Sequence, residues 1–344
     1  MAFGWNPTRD PCDDAVRAAA GQLRVALRAV RRAAGSGPAG PAGADGSSDG
    51  ATRAAADTAV HEARKSLRRC RALAELLRPL ADGDRGGDLI ASLRGARRLL
   101  SDARDDAVLR AALRAAWRER VGPAGGREGR TPGSAIAPLR ALLEGTRGPA
   151  SVRVDPAVAA ALAAALEGAR HDLKRLHAAA RAVGCDLEPL GRGLRRMHRR
   201  ARAAADVAVA AVGADGKGVA ARDDALHDAR KRLKELGYVM RWWAPAWRGP
   251  IEAWLDEVDA LGDLIGADHD QVVLRARLQA LAGAVDGELL AQVLAASERR
   301  SARLRAKAGR GLTRLAAEPS GAFVARHLAV LAAARALRAP RGGA

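Results

Sequence analysis

Aromatic residues are scarce in this chain: six Trp, two Phe and one Tyr occur among 344 residues. Proteins that bind single-stranded nucleic acid usually stack the bases on aromatic side chains. The basic segments of this sequence carry almost none, apart from Tyr238, Trp242 and Trp243. This shortage disfavours a nucleic-acid partner and favours an anion that carries phosphate groups without bases.

Cysteine is also rare. Cys12, Cys70 and Cys185 lie far apart and form no CxxC pair. A disulfide framework needs more cysteines, and a thiolate metal site needs them at closer spacing. We therefore expect neither kind of site.

Patterns typical of membrane proteins and of common enzyme classes are missing. No uncharged apolar run reaches the ~20 residues that a spanning helix needs, and residues 1–14 lack the order of a secretion signal. We therefore expect a cytoplasmic protein without a membrane span. The sequence has no GxxxxGK[ST] loop and no evident Ser/His/Asp or Cys/His grouping, which argues against P-loop hydrolysis and nucleophilic catalysis.

Positive charge dominates the composition. Lys and Arg number 58 against 39 acids, which gives a formal net charge of +19. Such a surplus favours an anionic partner, namely nucleic acid, polyphosphate or an acidic membrane. Arg suits bidentate phosphate contacts. Much of its excess over Lys, however, reflects a codon bias that makes the whole chain rich in Ala, Arg and Gly.

Most of the chain predicts α-helix, because Ala, Leu and Arg are good helix formers and apolar residues recur every three or four positions. The predicted helices span about 12–34, 53–79, 86–120, 134–146, 155–183, 187–212, 219–243, 249–282, 286–316 and 319–337. Segments rich in Gly, Pro or Ser separate some of them, at 35–52, 122–133 and 213–218, and residues 338–344 form a loose tail. No alternating strand pattern occurs.

Two segments about 166 residues apart share one pattern, VHEARKSLR at 60–68 and LHDARKRLK at 226–234. In each, a His is followed at offsets 3, 4 and 7 by Arg or Lys. These offsets place four cationic or protonatable groups along one face of a helix. The first basic row consists of His61, Arg64, Lys65 and Arg68. The second basic row consists of His227, Arg230, Lys231 and Lys234.

Each basic row lies beside an apolar stripe on the helical wheel, and the stripe is predicted to pack inward. The stripe residues are Val60, Ala63, Leu67, Cys70, Ala74 and Leu77, and in the second copy Leu226, Ala229, Leu233, Leu236, Met240 and Trp243. Like charges at i,i+4 repel by a few tenths of a kcal/mol, a penalty that a multivalent anion would remove. The rows therefore predict an anion-binding groove, with an ordinary solvated face as the alternative.

A second pair of similar segments follows, LLSDARDDAVL at 99–109 and LIGADHDQVVL at 264–274. Their alignment matches Asp105 with Asp270. Both halves thus repeat one order of helices, which predicts an all-α fold of two pseudo-symmetry-related antiparallel four-helix bundles with long helices. The N-terminal half would span 12–183, with a mobile linker at 35–52, and the C-terminal half 187–337.

Asp105 and Asp270 are expected to hold a neighbouring Arg or His in position instead of acting as catalytic carboxylates. A metal site is the alternative, because His and Asp are common ligands. Its ligands would be His61, His227, Asp105, Asp270, Asp268 and His269. The strongly positive surroundings disfavour a cation, so we expect no metal and no other cofactor. The remaining helical histidines, expected to be structural or exposed, are His171, His177, His198 and His327.

The chain resembles the CHAD family, the conserved-histidine α-helical domain, over about residues 14–337. The segments that carry the resemblance are VHEARKSLRRCRAL (60–73), LRRMHRRAR (194–202), LHDARKRLKELGY (226–238), LGDLIGADHDQVVLRARL (261–278) and RSARLRAKAGRGL (300–312). Together they are more specific than any one alone. One departure is Ser101-Asp102, which stands where the second half has Gly266-Ala267.

The resemblance implies two helical bundles about a pseudo-twofold axis and the binding of inorganic polyphosphate in a basic groove or channel between them. Members often accompany a triphosphate-tunnel domain, which this sequence lacks, so we expect no enzymatic activity. We expect polyphosphate, including that in polyphosphate granules, as the partner. The expected contacts are both basic rows with Arg195, Arg199, Arg202, Arg303, Lys307 and Arg310, and as second choices Arg24, Arg28 and Arg31. The alternatives are a nucleic-acid or nucleoid-associated binder and a metal-dependent phosphohydrolase.

Overall fold

Ten α-helices make up most of the chain in the computed structural model, which describes residues 3–35, 47–80, 85–98, 106–121, 137, 139, 141, 156–183, 187–213, 218–281, 283 and 286–337. They are α1 (Pro11–Gly35), α2 (Ser47–Leu77), α3 (Arg85–Arg98), α4 (Asp106–Val121), α5 (Pro156–Val183), α6 (Glu188–Gly213), α7 (Val219–Trp243), α8 (Arg248–Gln279), α9 (Gly287–Ala317) and α10 (Ser320–Ala336). No strand occurs among these residues. The predicted all-α class is confirmed.

Two boundaries differ from the sequence-based prediction. The helix predicted at 86–120 is divided between α3, which ends at Arg98, and α4, which begins at Asp106. Helix α2 begins at Ser47, so the last six residues of the predicted linker 35–52 are helical. Ser and Asp are common at helix N-termini and Ala favours the helix, which outweighs the turn tendency of the glycines there. The residues between α3 and α4, and most of 134–146, lie outside the described part of the chain.

Side-chain caps define where some helices start. At α1, Asp10 accepts hydrogen bonds from the backbone N–H groups of Cys12 and Asp13, both at 3.0 Å. At α9, the carboxylate of Asp286 accepts from the N–H of Leu289 at 2.7 Å. Such caps satisfy backbone donors that have no partner inside the helix and typically contribute about 1 kcal/mol each.

The helices pack in two sets. Helices α1, α2, α3 and α5 contact one another in a ring, and α6, α7, α8 and α9 do the same. The sets meet where α2 packs against α7 and α6, while α4 lies against α8 and α9 of the second set. The pseudo-symmetric pairing of two antiparallel bundles stays a prediction.

The apolar stripes predicted beside the basic rows are buried. Every residue of both stripes is in the core, including Leu67 at 1 % exposure and Trp243 at 0 %. A smaller apolar cluster joins α4 to the second set through contacts among Leu113, Trp117, Leu274 and Val293. The stripes fix which face of α2 and α7 remains available to the basic rows.

None of the helices that the structure describes is long and apolar enough to cross a lipid bilayer. Cys12 and Cys70 are buried. Burial raises the pKa of the Cys70 thiol to about 12, so this side chain is an uncharged packing group and not a reactive thiolate.

Two buried histidines have the structural role that the sequence suggests, and His198 attaches α6 to α10. The ring of Phe323 lies 4.1 Å from the ring of His198 and 4.2 Å from that of His327. His198 Nδ1 shares a hydrogen bond with Ser320 Oγ at 2.9 Å, and His327 Nδ1 shares one with the Phe323 carbonyl at 2.7 Å. Burial lowers the pKa of His198 from 6.5 to about 4.

This arrangement predicts acid sensitivity. Because the folded pKa of His198 lies below its unfolded value, its stabilising effect is complete above pH 6.5 and is lost as the pH falls towards 4. The expected loss by pH 4 is about 3 kcal/mol. Urea denaturation at several pH values should show a smaller loss in His198→Asn than in the wild type. His171→Asn, at an exposed position, should behave as the wild type, and equal slopes in all three proteins would contradict this role of His198.

Candidate functional site

The crossing of α2 and α7 brings the two repeat segments together. Arg71 of α2 forms a buried ion pair with Glu235 of α7, and the nearby Arg69 lies close enough to Tyr238 and Arg241 for their charges to affect its pKa. The C-terminal part of α2 therefore contacts the C-terminal half of α7.

Equivalent positions of the basic rows lie near each other at this crossing. Burial lowers the pKa of Lys234, and the positive charges of Arg230 and Arg68 lower it further. Arg68 and Lys234 are both the last residues of their rows, 166 positions apart. The crossing therefore joins the C-terminal ends of the two rows, one from each half of the chain.

The first residues of the two rows lie away from the crossing. His61 precedes Arg71 by ten residues, and His227 precedes Glu235 by eight. At about 1.5 Å per residue, these distances are about 15 Å and about 12 Å along the helices. Each row therefore extends away from the crossing along its own helix.

The basic rows are accessible to solvent. His61, Lys65 and His227 are exposed, and the remaining members of both rows are half-buried. Lys231 forms an i,i+3 ion pair with Asp228 at 3.4 Å, but both side chains are largely solvated, so the pair contributes little. The rows are therefore positioned beside the core, as predicted, with much of their charge available to a ligand.

Two glycines of α8 position the second row. The N–H at Nε of Arg230 donates to the carbonyl of Gly262 at 2.8 Å. A Cβ at Gly266 would lie 2.6 Å from Arg230 Nη2, and one at Gly262 would lie 2.9 Å from Lys234 Cε. The absence of a side chain at both positions, one helical turn apart, lets Arg230 and Lys234 lie against the α8 backbone. The spacing Gly262-x-x-x-Gly266 is a signal for this close approach that the sequence analysis did not use.

A small histidine cluster adjoins the outer end of the second row. The rings of His227 and His269 lie 5.9 Å apart, and His269 Nδ1 lies 3.2 Å from Asp223. Burial lowers the pKa of His227, and His269 and Arg230 lower it further. In the part of the chain that the structure describes, no three His, Cys, Asp or Glu side chains are arranged to hold a metal ion.

The arginines of α6 divide between two sides of the helix. Arg195 and Arg199 are exposed, whereas Arg202 donates to the carbonyl of Ala316 at 2.7 Å and so ties α6 to α9. Arg196 and Arg200, which the sequence analysis did not select as ligand contacts, reach the buried Glu75 of α2 at 3.3 Å and 3.4 Å. These two arginines fix α6 over the end of α2.

Two of the expected contacts on α9 have acidic neighbours. Arg303 pairs with Glu119 of α4 at 2.7 Å, and Lys307 lines a shallow cavity of about 340 Å³ whose α8 side carries Asp256 and Glu257. Among the described residues, no ion pair is seen for four exposed cations, namely Arg310, Arg24, Arg28 and Arg31. Asp270 is half-buried on α8, and Asp105 lies outside the described residues. The structure thus unites the two basic rows, and it leaves the α9 and α1 contacts as predictions.

Comparison with known proteins identifies the family of the chain. A search of curated proteins finds no match. The model of the CHAD domain family matches residues 46–279, which is more than half of the chain and includes both basic rows. The chain therefore belongs to the CHAD domain family.

Proposed function

We propose that this protein binds inorganic polyphosphate, without catalysing its cleavage, along the basic surface at the α2–α7 crossing. The observation that carries the proposal is the proximity of Arg68 and Lys234, the equivalent last members of two rows that come from different halves of the chain. A linear polyanion can contact several cations of both rows at once, whereas a single phosphate can contact only those nearest to the crossing.

The charges of the crossing support a polyanionic ligand. The pKa of Lys234 is lowered by burial and by Arg230 and Arg68, so its charged form is disfavoured in the absence of an anion. A string of phosphates would restore favourable interactions for several such cations at once. Binding would also release counterions, which makes affinity fall steeply with salt.

The aromatic residues support polyphosphate over a nucleic-acid strand. Trp242 and Trp243, the two tryptophans nearest to the second row, are completely buried. They cannot stack on bases, and strands are usually bound by several stacked bases in succession. Tyr238 is the aromatic residue of this segment that keeps partial access to solvent.

Localisation follows from the ligand in this proposal. A protein that binds long polyphosphate in the cytoplasm should accumulate where that polymer accumulates, including polyphosphate granules. Family membership supports the proposal, because the resemblance implies a polyphosphate-binding module that is not itself an enzyme.

Calorimetric titration with long-chain polyphosphate tests the proposal directly. We expect binding whose affinity decreases steeply as salt is raised. Duplex DNA at equal phosphate concentration should displace little of the polymer, since an elongated surface on two crossed helices matches a thin chain better than a duplex. Heparin serves as a polyanion without phosphate.

Three outcomes would contradict the proposal. Absence of binding would exclude polyphosphate as the ligand. Efficient displacement by DNA would favour a nucleic-acid binder. Release of orthophosphate that requires added Mg²⁺ or Mn²⁺ and disappears in Asp270→Asn would indicate a metal-dependent phosphohydrolase.

A further inference from the structure

An aromatic and cationic cluster lies at the α2–α7 crossing, next to Lys234. It comprises Phe3, Arg69, Tyr238 and Arg241, and we call it the crossing cluster. The guanidinium carbon of Arg69 lies 4.7 Å from the Phe3 ring centroid, and that of Arg241 lies 5.9 Å from the Tyr238 ring centroid. Burial lowers the pKa of Arg69, and the positive charge of Arg241 lowers it further. The two helices meet here through the ion pair of Arg71 with Glu235.

The crossing cluster has more positive than negative charge. Arg241 pairs with Asp259, whereas Arg69 has no ion pair with a carboxylate of the described chain and its buried Nε has no hydrogen-bond partner there. The charged groups in and beside the cluster are Arg68, Arg69, Arg230, Lys234, Arg241, Asp259 and Asp263. Five cations thus face two carboxylates. An anionic ligand is therefore favoured at this place.

The aromatic rings of the crossing cluster are partly accessible. Phe3 and Tyr238 are half-buried, in contrast to Trp5, Trp242 and Trp243 in the nearby core. Tyr238 follows Lys234 by one helical turn, so the two side chains share a face of α7. A planar group that stacks on Tyr238 would thus place an attached phosphate chain within reach of the basic rows.

We propose that the crossing cluster binds nucleoside di- and triphosphates, with the base against Tyr238 and Arg69 and the phosphates on Arg68 and Lys234. Bases stack on aromatic rings and on guanidinium planes. A single base would stack here, because Tyr238 is the aromatic residue of this α7 segment with partial access to solvent, which suits a mononucleotide better than a strand. This inference rests on the proposed function, because the phosphates would use cations of the basic rows. Nucleotides would therefore compete with polyphosphate.

Calorimetric comparison of ATP with tripolyphosphate, both without added metal, tests this inference. Stacking on one aromatic ring contributes about 1–3 kcal/mol per base. We therefore expect Tyr238→Leu to weaken ATP binding about tenfold and to leave tripolyphosphate binding within about twofold of the wild type. Tyr238→Phe keeps the ring and should bind ATP nearly as the wild type does.

The outcomes separate this inference from the proposed function. If tripolyphosphate and long polyphosphate bind but Tyr238→Leu weakens ATP and tripolyphosphate equally or not at all, the nucleotide site is wrong and polyphosphate binding stands. If none of these ligands binds, both proposals are wrong. Should Tyr238→Leu fail to fold, the wild type still decides: ATP that does not displace bound polyphosphate more efficiently than tripolyphosphate does would overturn the inference.

Discussion

Replacing Lys65 and Lys231 together by glutamate is expected to weaken polyphosphate binding at least about 100-fold at physiological ionic strength. The two lysines occupy equivalent places in the two basic rows and are accessible to solvent. Each charge-assisted hydrogen bond to phosphate contributes about 1.5–3 kcal/mol, and each glutamate adds repulsion. The logarithmic dependence of affinity on salt should become shallower by about 1.4, since two phosphate contacts are lost.

Folding should be preserved in the Lys65→Glu, Lys231→Glu protein. Lys65 forms no ion pair with a described carboxylate, and the exposed pair of Lys231 with Asp228 is worth little. Helical circular dichroism and the thermal midpoint should therefore remain close to those of the wild type.

A matched variant carries the same change of net charge elsewhere. Arg170 lies on α5 and Arg335 on α10, and neither helix belongs to the α2–α7 crossing. The Arg170→Glu, Arg335→Glu protein should retain most of the affinity. Equal losses in both double variants would mean that net charge alone attracts the polymer, and unchanged binding in Lys65→Glu, Lys231→Glu would refute the assignment of the basic rows.

Gly193→Ala is expected to lower the free energy of unfolding by about 2 kcal/mol. A Cβ at position 193 of α6 would overlap the carbonyl oxygen of Leu76 and lie 2.9 Å from its carbonyl carbon. The neighbouring group is the backbone of α2, which cannot move aside as a flexible side chain can. This steric cost exceeds the gain of about 1 kcal/mol that Ala normally brings to a helix interior.

The same substitution at Gly168 provides the control. Gly168 lies inside α5, and a Cβ there would have no neighbour within 4 Å. Urea denaturation should therefore show Gly168→Ala to be as stable as the wild type or up to about 1 kcal/mol more stable. If Gly193→Ala is also stabilising, the close approach of α6 to the end of α2 does not exist in solution.

Much of the local structure could be predicted from sequence. Periodic apolar residues and good helix formers identified the all-α class. A helical wheel identified the two apolar stripes of α2 and α7, and the structure shows that both are buried. The repeated His-x-x-Arg-Lys-x-x-basic pattern marked both rows before their neighbours were known. These features depend on the 3.6-residue period of a helix, which any single segment displays on its own.

Other predictions failed or remained undecided where the sequence has no periodic pattern of apolar residues to guide them. The long helix predicted at 86–120 ends at Arg98, and a second one begins at Asp106. Asp105 lies outside the described residues, so its predicted role stays open. The roles of Arg303 and Lys307 depend on which helices surround α9, and composition carries no information about that.

The sequence by itself determined which residues of α2 and α7 are buried, which are basic, and that the two helices are copies of one pattern. Only the tertiary structure decided that the two copies meet, with Arg71 of one paired to Glu235 of the other and with Arg68 near enough to Lys234 to lower its pKa. It also decided that Gly262 and Gly266 admit two side chains of the second row. The physical reason is that helical periodicity is a local property, whereas a crossing is selected by the packing of whole helix surfaces that lie far apart in the chain.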